Sequence, residues 1–184
     1  MEKEYLVDLR KLFIFYKGLG EKAMNQLSDE ELMAEAPPGI NSVSVLVKHL
    51  AGNMKSRFTD FLLSDGEKPW RERDMEFVDD LKVASALWSL WASGWSVLLG
   101  TLDTLSSSDL NRTVKIRNRE QKVFAALNRQ LGHYAYHIGQ LVDRAKALKG
   151  DQWQSLSIPL GQSERYNQKM FEQGDADKHF TEDL

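Results

Sequence analysis

Residues 123–150 read VFAALNRQLGHYAYHIGQLVDRAKALKG. Val123, Leu127, Leu131, Tyr134, Ile138, Leu141, Ala145 and Leu148 recur at steps of three and four, the period at which one face of an α-helix meets a core. Gly150 stands just past the last of them, where a residue without a Cβ ends a helix most readily. Such a helix has to bury its stripe against others, and the chain offers three more. Residues 4–27 repeat the pattern with Leu9, Leu12, Phe13, Tyr16 and Leu19. Residues 43–63 carry Val43, Leu46, Leu50, Met54, Phe58 and Phe61 behind a capping Asn41 or Ser42. Residues 79–105 carry Leu87, Leu90, Trp91, Leu98 and Leu102. The pattern predicts an all-α, four-helix bundle.

The connections are uneven. Ser28-Asp29-Glu30-Glu31 has capping-box spacing, and Pro37-Pro38-Gly39 stops the turn it starts. Ser64-Asp65-Gly66-Glu67-Lys68-Pro69 is turn chemistry, and the polar stretch to about Asp74 prolongs a long loop. Residues 113–117 alternate apolar and polar side chains, as a short strand or an extended turn would, but no run of strands builds a sheet. A short helix is expected near residues 163–173. Residues 1–173 therefore read as one domain, with an acidic, mobile tail over 174–184.

Charge and composition narrow the partners. With 24 Lys plus Arg against 27 Asp plus Glu, the net charge of -3 gives no general attraction to a polyanion. The basic run Arg112, Lys115, Arg117, Arg119 and Lys122 has no interleaved aromatic residue for base stacking. It reads as a solvated loop, or as an attractor of a small anion. No stretch reaches the roughly 20 apolar residues of a spanning helix, and the charged start, Met1-Glu2-Lys3-Glu4, lacks a signal-peptide pattern, so a cytoplasmic protein without a membrane partner is expected. The sequence has no cysteine, so any thiol chemistry takes its thiol from outside.

His133 and His137 stand one helical turn apart, each on the shoulder of the apolar stripe. His49 holds the same relation to Leu46, Leu50 and Met54, with Asn53 a turn further on. Imidazole suits Zn, Ni, Cu and Fe, and three histidines without a fourth protein ligand describe a catalytic type of site that leaves a position for water or substrate. On spacing alone they serve equally as helix-surface residues and a hydrogen-bonded core histidine.

His49 within Val47-Lys48-His49-Leu50-Ala51-Gly52-Asn53, followed by Gln130-Leu131-Gly132-His133-Tyr134-Ala135-Tyr136-His137-Ile138-Gly139-Gln140, resembles the DinB/YfiT-like family of metal-binding four-helix bundles. The stretch Asn53-Met54-Lys55-Ser56-Arg57-Phe58-Thr59-Asp60-Phe61, with Asp65-Gly66-Glu67-Lys68-Pro69-Trp70, is similar to an uncharacterised bacterial branch of it. The resemblance spans residues 42–148 and implies long crossovers, frequent homodimers, and a divalent ion, Zn or Ni, held by His49, His133 and His137. It also implies thiol-dependent transferase chemistry, in which the metal binds a low-molecular-weight thiol that attacks a small electrophile. A non-catalytic, stress-associated metal-binding dimer and a metal-dependent hydrolase are the alternatives.

Asn53 and Gln140 share the histidine faces, either orienting a bound ligand or lying exposed. Arg57 is a candidate partner for a substrate carboxylate, or a salt-bridge partner of a nearby acid. Asp65, Glu67 and Asp74 are loop carboxylates at no fixed distance from the histidines. Trp88, Trp91 and Trp95 form a stripe that reads as core, with part of it left for a second copy. No Ser-His-Asp order, phosphate-cradling loop or dinucleotide fingerprint is present.

Overall fold

The computed structural model describes residues 2–173 and 178–182. In chain order they form α1 (Glu2–Met24), α2 (Asp29–Leu32), α3 (Val43–Phe58), a 3-10 turn (Arg73–Phe77), α4 (Ala84–Thr104), strands β1 (Thr113–Ile116) and β2 (Arg119–Lys122), α5 (Val123–Lys149) and α6 (Ser163–Glu172). The protein is mostly helical. Its four long helices are the four that the periodicity predicts. They close a ring, with α1 against α5 and α4, and α3 against α4 and α5.

Local chemistry sets most of the ends. The Ser42 side chain accepts the Val45 amide at 3.1 Å and caps α3, a contact worth about 1 kcal/mol. Ser28 and Glu31 complete the capping box of α2 at 3.2 and 2.7 Å. Gly150 closes α5 at φ +56, a conformation that a Cβ would strain. The stripe of α5 is the core: Val123, Leu127, Tyr134, Ile138, Leu141 and Ala145 are at most 1% exposed. Gly94 lets α4 close on α3, because a Cβ there would stand 2.8 Å from the Ala51 Cα.

Three expectations change. The second long helix stops at Phe58 rather than running to Leu63, since Thr59 turns extended and Asp60 takes φ +48. Phe61 still stacks on Phe58, with ring centroids 5.4 Å apart, so the apolar row continues without the helix. The third starts at Ala84 instead of Asp79, because the preceding residues are tied to α3: Ser44 donates to Asp79, and Lys48 donates to Asp80 and, at 2.7 Å, to the Val78 carbonyl. A small sheet does form. β1 and β2 pair antiparallel, Thr113 opposite Lys122 and Ile116 opposite Arg119, through a two-residue turn with Arg117 at φ 53 and Asn118 at φ 59. The Asp65 carboxylate accepts both turn amides, at 2.8 and 2.6 Å, and fastens the hairpin to the loop after α3.

Trp91 and Trp95 are buried in the core and Trp88 is half-buried at its edge. Much of the expected acidic tail, residues 174–177 and 183–184, lies outside the described residues. Within 178–182, His179 Nε2 lies 2.7 Å from Asp8 Oδ1, and Phe180 meets Phe15 at 5.8 Å on α1.

Candidate metal centre

The packing of α3 on α5 brings three imidazoles together. His49 Nε2 and His133 Nε2 are 3.3 Å apart, and the ligating atoms of His49, His133 and His137 all lie within 4.8 Å of one another. Three imidazole nitrogens bound tetrahedrally at about 2.1 Å from one ion stand about 3.4 Å apart, so rotamer adjustments of about 1 Å would bring this cluster onto a common ion. His49 and His137 are buried, and His133 is half-buried.

The outer nitrogens are held. His49 Nδ1 donates to Glu76 Oε2 at 2.9 Å, and His137 Nδ1 donates to Gln140 Oε1 at 2.8 Å, which turns each Nε2 lone pair toward the cluster. Gln140 is itself positioned by donating to the Tyr136 hydroxyl at 3.1 Å. Burial, aided by the charges of His137, His49, Arg57 and Arg71, pushes the His133 imidazole down to about 3. Burial and His49 also lower His137, against the opposing hydrogen bond of Gln140. Both are therefore neutral near pH 7, as ligands must be.

Glu76 is the residue that sequence reasoning missed. It belongs to the 3-10 turn after the long loop, and Arg71 grips it with two parallel hydrogen bonds, at 2.7 and 2.9 Å. Burial alone would raise its carboxyl, but the hydrogen bonds from His49 and Arg71 hold it below the usual range. Gly52, one turn beyond His49, makes room for it: a Cβ there would stand 2.3 Å from Glu76 Oε1. Nothing in the local pattern marks Glu76, and a helix glycine near a histidine was the only signal available.

Gln140 does meet a histidine. Asn53 is buried and lines the same cleft, but its Oδ1 accepts from the core Tyr134 hydroxyl at 3.0 Å. Arg57 is buried at the cleft, where it donates to the Gly66 carbonyl and to Glu67 at 3.1 Å, so the salt-bridge alternative for it is met. Of the loop carboxylates, Asp65 holds the hairpin, Glu67 pairs with Arg57 and Arg117, and Asp74 is fully exposed with Arg73 at 3.8 Å. Of the basic run, Arg117 lines the cleft; Arg112 pairs with Asp109 at 2.9 Å, and Lys115 with Glu120 at 3.7 Å.

The histidines open on a cleft of about 300 Å³. One wall is Phe77, whose ring centroid is 4.8 Å from that of His49, with the Arg73 guanidinium 5.1 Å above it. The donor set suits a divalent first-row ion, with a side open to small molecules. Among the described residues, no helix is long and apolar enough to cross a membrane. No curated protein and no solved structure matches the chain. Residues 1–162 match the family described as Protein of unknown function (DUF1572), and the chain belongs to that family.

Proposed function

We propose that this chain is a divalent-metal-binding protein of the DinB-like bundle type, and an enzyme that activates a low-molecular-weight thiol for transfer to a small electrophile. The observation that carries the metal assignment is the pair of anchored imidazoles: Glu76 on His49 and Gln140 on His137, at 2.9 and 2.8 Å, leave the inner nitrogens to meet beside His133. The bundle assignment is supported by four long helices in a ring, with the paired histidines on the last and the third on the second. Zn and Ni both suit three imidazoles.

An ion bound there would lower the pKa of a coordinated thiol or water and supply a nucleophile near neutral pH. The chain's own residues do the rest. His49, His133 and His137 hold the ion; Glu76 and Gln140 fix the tautomers; Phe77 and the arginines wall the cleft. With no cysteine in the chain, the thiol comes from solution. The same proposal takes the protein to be a cytoplasmic homodimer with a small-molecule substrate and without nucleic-acid or membrane partners.

The test begins with metal content. Purified protein should hold one divalent ion per chain, and His49→Ala, His133→Ala or His137→Ala should each lower it sharply while His179→Ala does not. Full occupancy in all three variants removes the site. A panel of small thiols added to cobalt-loaded protein should then bring up sulfur-to-metal charge transfer and accelerate capture of an electrophile. Ester or amide cleavage without thiol dependence would replace the transferase with a hydrolase, and no reaction across both panels would leave a non-catalytic binding module.

A further inference from the structure

The cleft beside the histidines is more basic than a metal centre needs. Guanidinium groups reach it from four parts of the chain: Arg57 on α3, Arg71 and Arg73 around the 3-10 turn, Arg117 at the hairpin and Arg129 on α5. Among the described residues, no carboxylate lines it. The acids behind it are already committed. Glu67 is shared by Arg117 at 3.0 Å, Arg57 at 3.1 Å and Arg71 at 3.7 Å, while Glu76 is divided between Arg71 and His49. Two carboxylates balance two of the five cations. Arg73 has only the fully exposed Asp74, at 3.8 Å, and Arg129 has no hydrogen-bond or ion-pair partner among the described residues.

One buried polar atom of a lining residue lacks a hydrogen-bond partner: Gln130 Oε1, an acceptor; Arg71 Nη1 also makes no hydrogen bond but stands 3.7 Å from Glu67 Oε1. Orphaned buried groups of this kind are uncommon because each forfeits its hydration, and a ligand that satisfies them recovers the loss. The α5 register adds direction. Arg129, His133 and His137 follow at steps of four, so Arg129 sits one turn, roughly 6 Å, from the nearest histidine.

We propose that the cleft takes a small molecule carrying an oxyanion, a carboxylate or a phosphate group, seated on Arg129 and Arg117 with its reactive end toward the histidines. This rests on the metal centre proposed above for the chemistry, but the anion seat is built from different residues. Gln130 Oε1, the unpartnered acceptor of the lining, accepts from a hydroxyl or amine on the same molecule. A cleft of about 300 Å³ holds a metabolite-sized ligand.

Calorimetric titration of inorganic phosphate and of succinate into the full-length protein, both metal-free and zinc-loaded, tests it. At least one should bind with one site per chain, and the better of the two identifies the oxyanion. Arg117→Gln/Arg129→Gln, a change at two solvent-reaching side chains whose folding is checked by circular dichroism, should weaken binding by about tenfold or more. Failure of both anions to bind overturns the proposal, as does equal affinity in the double variant. Binding seen only after zinc loading and indifferent to the arginines also overturns it, because the anion is then a metal ligand. If zinc fails to bind and arginine-dependent anion binding persists, the metal centre falls and the anion seat stands. Histidine-dependent zinc binding with no anion binding gives the reverse.

Discussion

If the three histidines hold an ion as proposed, a methyl group at Gly52 should weaken zinc binding by about 10- to 100-fold without costing the protein its fold. The added Cβ would meet Glu76 Oε1 at 2.3 Å, Cδ at 2.7 Å and Cγ at 3.1 Å. Ordinary carbon contacts begin near 3.5 Å, so the carboxylate has to retreat by about 1 Å. The His49 Nδ1 to Glu76 Oε2 hydrogen bond is 2.9 Å, and a retreat of that size breaks it. His49 then loses the partner that fixes its tautomer and ring plane, a loss that typically weakens a metal site by about 10- to 100-fold. The helix itself gains, since Ala in place of a mid-helix Gly is worth roughly 0.5–1 kcal/mol. Glu76→Gln should weaken the metal comparably, but it also strips the buried Arg71 of its bidentate carboxylate and should lower stability by about 3 kcal/mol. Zinc affinity measured by competition with a chromophoric chelator, beside thermal melts of the metal-free chains, separates the two effects. Wild-type zinc affinity in both folded variants would refute the role given to Glu76.

Burial alone would raise the Asp65 carboxyl, but the amides of Glu67, Asn118 and Arg117 together hold it below its usual value, so its contribution is present above pH 3.8 and is lost as pH falls through the lower folded value. Hydrogen exchange should accordingly show the Arg117 and Asn118 amides protected at pH 6, and unprotected at that pH in Asp65→Ala; unchanged protection would show that the hairpin holds without the clasp. Sedimentation at micromolar protein should give a dimer that Trp88→Ala weakens, Trp88 being the half-buried member of the tryptophan stripe, whereas a monomer throughout would remove the homodimer.

Much of the scaffold was legible because its signals are local. The α5 stripe, the Gly150 stop, the Ser42 cap and the Ser28 box each depend on residues within a turn or two, and helix periodicity alone puts His133 beside His137. Where local signals conflict with tertiary ties, the reading slips. Phe61 keeps the apolar period of α3 after the backbone has turned at Asp60, and the wholly polar Arg119-Glu120-Gln121-Lys122 is a strand only because β1 and the Asp65 clasp hold it.

The sequence by itself determined the helices, their buried faces and the residue types able to hold a metal, because backbone hydrogen bonding and apolar periodicity are short-range. The tertiary structure alone decided what those residues meet. His49 reaches His133 across 84 positions, Glu76 reaches His49 across 27, and the cleft gathers arginines from two long helices, a loop and a hairpin. No repeat links such positions along the chain. Their proximity is fixed by how α3 packs on α5 and by where the connecting loop is tied down, which are properties of the closed ring of helices.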